Sequence, residues 1–245
     1  MLLRRVIEHV KTQNWTAVAL DFLIVVVGVF IGIQVSNWND ARSERMSERR
    51  YLVELQRDLE ADISAMERGF GSTRTRLATS ELILAAVDPD YERAAFLGDV
   101  EGEVVLPERF ENHIYAAFAN TSYLVGKNHT FDELVQTGNL GVISDRALVK
   151  TLTEYYSNFD GGTLDDEIIR RHLDRTIDYL TEQGLGLGDE ATIEDAVARA
   201  QNDAHFLGLV KAANFFSIWQ LNRTQALKDD ALAALADVSA NLEDR

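Results

Sequence analysis

"WTAVALDFLIVVVGVFIGIQVSNW", residues 15–38, decides how the rest of the chain is read. Thirteen of the residues from 16 to 35 are Leu, Ile, Val or Phe. At about −0.3 to −0.6 kcal/mol each, they favour entry into a bilayer by roughly 4 to 8 kcal/mol. The single carboxylate, Asp21, opposes this by about 3 kcal/mol at most. Trp15 and Trp38 bracket the run at about 34 Å along a helix, which suits a bilayer with an aromatic anchor at each interface. The stretch therefore predicts a transmembrane helix over 15–38. A cleaved leader would need small residues after the apolar run, and "SNWND" offers no such site. A buried helix of a soluble protein is the other alternative, disfavoured by the length and the flanking tryptophans.

Asp21 then needs a reason. At 100° per residue, Gly28 and Gly32 lie about 20° to either side of it around the helix, and Ala17 about 40° away. Ala17, Asp21, Gly28 and Gly32 thus share one stripe. Small residues let helix backbones approach closely, and a carboxylate inside a span faces protein or water rather than lipid. We expect this stripe to be the packing face of a homo-oligomer. In the competing reading Asp21 only snorkels toward the interface, about 9 Å from Trp15 along the axis.

Upstream, "LLRRVIEHVK" puts Leu3, Val6, Ile7 and Val10 on one face and charges largely opposite. This predicts an interfacial amphipathic helix within 1–14, or a simple extension of the span. Arg4, Arg5 and Lys11 precede the span, and Arg42, Arg45, Arg49, Arg50 and Arg57 follow it. The raw count favours an outside N-terminus, but the second group opens a long domain, where the rule weakens. A long domain after an uncleaved N-terminal anchor is commonly translocated. The expectation is a bacterial inner-membrane protein with a periplasmic head.

The 245 residues suffice for one anchor and one ordinary domain. There is no cysteine, which excludes disulfides, thiolate metal sites and cysteine nucleophiles. The only prolines are Pro89 and Pro107, which favours long helices elsewhere. Residues 1–50 hold seven Lys/Arg and five Asp/Glu, a net of +2, while the rest hold 17 against 35, a net of −18. So acidic a head repels nucleic-acid phosphate, and no nucleic-acid partner is expected.

After Trp38, Leu52, Leu55, Leu59, Ile63, Met66 and Phe70 recur at helical spacing. This juxtamembrane helix region, 39–87, ends in a second helical run, "TRLATSELILAAV". Its stripe suits either a coiled-coil seam or packing on the rest of the head. Residues 88–112 contain both prolines and read as an irregular linker or a short hairpin around Val100 and Val104. Residues 113–245 read as an acidic helical domain. Within it, Gly138 suits a left-handed C-cap, Ser144 or Asp145 caps the next helix, and Leu148, Leu152, Tyr155 and Phe159 form that helix's apolar face. Further helices are expected over 165–182, 190–206 and 207–242. The fold class is all-α: one N-terminal transmembrane helix continuing into a helical-bundle soluble domain of five or six helices.

Three blocks carry a family resemblance: "RRVIEHVKTQNW", "DFLIVVVGVFIGIQVSNWNDAR" with "YLVELQRDL", and "TFDELVQTGNLGVISDRALVKTLTEYY" at 130–156. They resemble bacterial membrane proteins of the domain-of-unknown-function family numbered 6090. The resemblance covers the first 60 residues and the middle block, and not 88–112 or 181–210. It implies a single-span inner-membrane protein with a helical soluble part, and it carries no activity.

No motif adds chemistry. "GLGLGD", 184–189, follows a helix rather than a strand and lacks the dinucleotide spacing. His9, His113, His129, His172 and His205 form no metal-binding pair, and His172 reads as part of a solvated face. "GFGST" around Ser72 is not a nucleophile elbow. A DNA-reading helix-turn-helix within 113–160 is disfavoured because its second helix, with Asp145, Arg146, Lys150 and Glu154, has a net charge of zero inside an acidic domain. No catalytic residue, cofactor or metal is expected. The function expected is a membrane-anchored scaffold or interaction module that oligomerises through its span, with protein partners possible in principle. An oligomeric sensor or small channel is the alternative, and an anchored enzyme the third reading.

Overall fold

The computed structural model describes residues 15–120, 129–160 and 162–243. The amphipathic stretch expected within 1–14 lies outside them. The chain divides into two compact units, Met1–Arg50 and Tyr51–Arg245. All regular elements among the described residues are helices: α1 (Trp15–Val87), α2 (Ile114–Phe118), α3 (His129–Gln136), α4 (Arg146–Asp160), α5 (Gly162–Glu182), α6 (Ile193–Asn202) and α7 (Ala204–Glu243).

Helix α1 runs for 73 residues because nothing in it stops a helix. No proline occurs before Pro89, and Asp88 stands before it, where the helical region is disfavoured. Asp88 Oδ1 accepts the Asp90 N–H at 3.1 Å, turning the chain away. The separate second run expected after Phe70 is continuous with the first. Gly69 and Gly71 weaken the helix locally, but Phe70 between them and Leu77 beyond them are buried against the rest of the head, which holds the helix through this stretch.

In the first unit, one helix is long and apolar enough to cross a membrane, with a window of mean hydropathy 2.3 of which none is buried.

In the second unit, the buried residues of α1 obey a strict heptad. Leu52, Leu55, Leu59, Asp62, Met66, Gly69, Thr73, Arg76, Ser80 and Ile83 alternate steps of three and four, and all are buried. Helix α7 does the same from Phe206 through Val210, Ala213, Ser217, Gln220, Thr224, Leu227, Ala231 and Ala234 to Val238. Seams of period 3.5 keep one face against a partner over many turns. Here the stripe expected on α1 packs within its own chain. Leu52, Leu55, Leu59 and Met66 join Leu227, Ala231, Ala234 and Val238, with Leu148, Leu152, Tyr155 and Tyr156 of α4. At the other end, Ile83 and Leu84 join Phe206, Val210 and Ala213, with Tyr179 of α5 and Ala196 of α6. Ile63, expected in the stripe, is only partly buried, and Asp62 takes the seam position at 1% exposure. Its carboxylate accepts the Tyr155 hydroxyl at 3.0 Å.

No strand occurs among the described residues, so the hairpin considered at 100–104 does not form. The segment lies singly against Phe70, Leu77, Ile218 and Leu221, where Val100 and Val104 are partly buried. Side chains replace the missing cross-strand partners: Arg74 Nη2 donates to the Glu101 carbonyl at 2.8 Å, and Asn222 Nδ2 to that of Leu97 at 2.5 Å. Gly102, at φ +82°, lies so close to Arg74 that a Cβ would meet its guanidinium at 2.7 Å.

Candidate functional site

Gly138 stands just after α3 with φ +70° and ψ +17°, the left-handed conformation that frees the chain for the turn Asn139–Val142. Asp145 caps α4, its Oδ1 accepting from Ala147 N–H at 2.8 Å and Leu148 N–H at 3.3 Å, while Asn241 Nδ2 donates to Oδ2 at 3.1 Å. The Asn241 bond, then the two backbone bonds, hold this carboxyl below the usual carboxylate range. Ser144 makes an interaction of its own. These residues build a helix–turn–helix joint, in which Asp145 is engaged by the α4 backbone and by Asn241 of α7.

On α1, Asp21, Gly28 and Gly32 are exposed, and a Cβ at either glycine would meet nothing within 4 Å. The Ala17 and Trp15 side chains lie outside the described set. Trp38 is 61% exposed, with the Arg42 guanidinium 5.9 Å from its ring. Twelve large apolar side chains from Leu20 to Val35 stand 45–71% exposed. A contiguous apolar surface of that size marks a membrane or protein contact.

A polar layer in the middle of the α1–α7 seam has no counterpart in the sequence reading. Arg76 is 1% exposed, and its Nε donates to Ser217 Oγ at 2.8 Å and its Nη2 to Gln220 Oε1 at 2.7 Å. Thr73 Oγ1 lies 3.3 Å from the same Gln220 oxygen, its single hydrogen shared between that oxygen and the Gly69 carbonyl. Asn214 Nδ2 donates to Ser80 Oγ at 3.2 Å, and Tyr91 donates its hydroxyl to Asn214 Oδ1 at 3.0 Å. Stepping up α1 from Thr73 to Arg76 to Ser80 steps down α7 from Gln220 to Ser217 to Asn214, so these bonds define one antiparallel register. A polar residue at a seam position specifies register at some cost in stability. The signal was present: the three-four spacing of Leu52, Leu55 and Leu59 continues through Asp62, Thr73, Arg76 and Ser80. Following only apolar residues ends the stripe at Phe70.

His172 of α5 lies beside this layer rather than on a solvated face. It is 8% exposed, its ring 5.4 Å from that of Phe216. Its Nε2 is buried with no hydrogen-bond partner among the described residues. Burial, then the charges of Arg76 and Arg175, pull its pKa down to about 4, so the ring is neutral near pH 7.

Two of the hollows on the second unit lie along the last turns of α1. One, of about 750 Å³, is lined by Ala78, Leu82 and Ala85 of α1, the segment Val104–Leu106, and residues around Glu111 and Glu194. The other, of about 450 Å³, lies between Leu84, Tyr91, Phe96 and Phe215. No group of three or more His, Asp or Glu residues suited to a metal ion occurs among the described residues.

No protein-family model, curated protein or solved structure matches the chain.

Proposed function

We propose that the protein is a membrane-anchored helical scaffold that assembles through its span, akin to the single-span inner-membrane family numbered 6090. The observation that carries this reading is the window of mean hydropathy 2.3 with no part buried inside the chain. Such a surface is stable only in lipid or against other helices. The small-residue stripe of Gly28 and Gly32 beside Asp21 supports assembly of copies over a lone span. An oligomeric sensor or small channel is the second reading, favoured by Asp21 within the apolar run.

Carbonate washing of membranes leaves the full chain in the pellet. Its release into the supernatant would remove the anchor from the account. For the head, the periplasm is the proposed side. A phosphatase fused after Arg245 is then active, and a silent phosphatase with an active cytoplasmic reporter at the same point reverses the orientation.

A further inference from the structure

The larger hollow carries an inference about partners. Its floor is one face of α1, where Ala78 and Ala85 leave room on either side of Leu82. Its walls are the segment Val104–Leu106 and the start of α6 at Thr192–Glu194. Leu82 and Val105 are 46% and 54% exposed there. Every ionisable side chain lining it is a carboxylate: Glu81, Glu111 and Glu194.

Glu81 is neutralised, because Arg93 donates to its two oxygens at 2.6 and 2.9 Å. The exposed carboxylates of Glu111 and Glu194 have no partner among the described residues. The first turn of α6 carries two carboxylates of its own, Glu194 and Asp195. Its capping box is closed, with Thr192 accepting from Asp195 N–H and the Asp195 side chain from Thr192 N–H. Residues 88–112 add eight Asp/Glu against two Arg, one of them the Arg93 already paired. Apolar floor, unpaired acidic rim and a volume within the range of ligand sites occur together.

We propose that this cleft docks a basic amphipathic segment of a partner protein. Lys or Arg side chains of the segment meet Glu111 and Glu194, and its aliphatic side chains cover Leu82 and Val105. A small polycation satisfies the carboxylates and leaves both apolar side chains wet. An acidic segment is repelled by the whole region. The inference rests on the scaffold reading and names the chemistry of its partner.

The test uses the full chain in nanodiscs of neutral lipid and a short synthetic Leu/Lys amphipathic peptide, read by hydrogen exchange and by fluorescence titration. The peptide slows exchange at 104–106 and 192–194. Glu111→Lys with Glu194→Lys weakens binding about tenfold or more, with an unchanged melting curve. The same charge reversal at exposed Glu60 and Glu154 changes binding by about twofold or less, through screened long-range attraction alone. A lysine-only peptide of equal charge binds at least about tenfold more weakly than the Leu/Lys peptide. The proposal is overturned by equal weakening in both double variants, by protection outside the cleft only, or by equal binding of the lysine-only peptide. Gly28→Leu with Gly32→Leu retains peptide binding, so a failure of span assembly is told apart from a failure of the cleft.

Discussion

Arg76→Ala lowers the stability of the head by about 3 to 5 kcal/mol. Two losses add. The first is packing: the largest fully buried side chain among the described residues is removed from between two helices, leaving a cavity the seam closes only in part. The second is polar: Ser217 Oγ and Gln220 Oε1 lose donors at 2.8 and 2.7 Å in a region shut off from water. Arg76→Met keeps most of the volume and loses only the second part, so it is milder. Exposed Arg68→Ala on the same helix stays within about 0.5 kcal/mol. Urea unfolding followed by circular dichroism on the full chain in detergent measures all three. A loss below about 1 kcal/mol at Arg76 would mean the layer does not hold the seam.

Acid weakens the head between about pH 6.5 and pH 4, and His172 is the cause. The folded ring titrates at about 4, against 6.5 when unfolded. A base whose pKa is depressed by folding contributes its full stability above the unfolded value. As pH falls below 6.5 the unfolded chain takes up a proton that the folded chain refuses, and stability declines until pH reaches the folded value. The loss approaches about 3 kcal/mol. Burial is the main reason, and a cation at His172 would also face Arg76 and Arg175. His172→Gln removes most of the slope across this window while other groups keep theirs. Melting curves at pH 7 and pH 4.5 for both chains decide it, and an unchanged slope in the variant would place the ring in water.

What could be read from the sequence follows from period and punctuation. The long apolar helix, the all-helical head, the glycine at 138 and the apolar face of α4 each come from strong local rules. The heptad of α1 was visible in its apolar residues only as far as Met66, because its next members are Gly69, Thr73, Arg76 and Ser80. Only the matching seam of α7, more than 130 residues away, makes those side chains buried and hydrogen-bonded. His172 misled for the same reason: a histidine flanked by arginines looks solvated until Phe216 and the polar layer lie against it. The cleft had no signal in one dimension. Leu82, Val105 and Glu194 come together only through tertiary packing.

The proposed assembly through the Ala17, Asp21, Gly28 and Gly32 stripe has its sharpest readout in native mass in mild detergent. Among the described residues of one chain a Cβ at residue 28 or 32 meets nothing within 4 Å and both positions are exposed, so a larger residue there enters open space. Any loss of mass then reports a contact between copies. The full chain runs as a defined multiple of its monomer mass, and Gly28→Leu with Gly32→Leu runs as the monomer, with an unchanged melting curve for the head. A wild-type chain that is already monomeric, or a double variant that keeps the wild-type mass, would contradict the account.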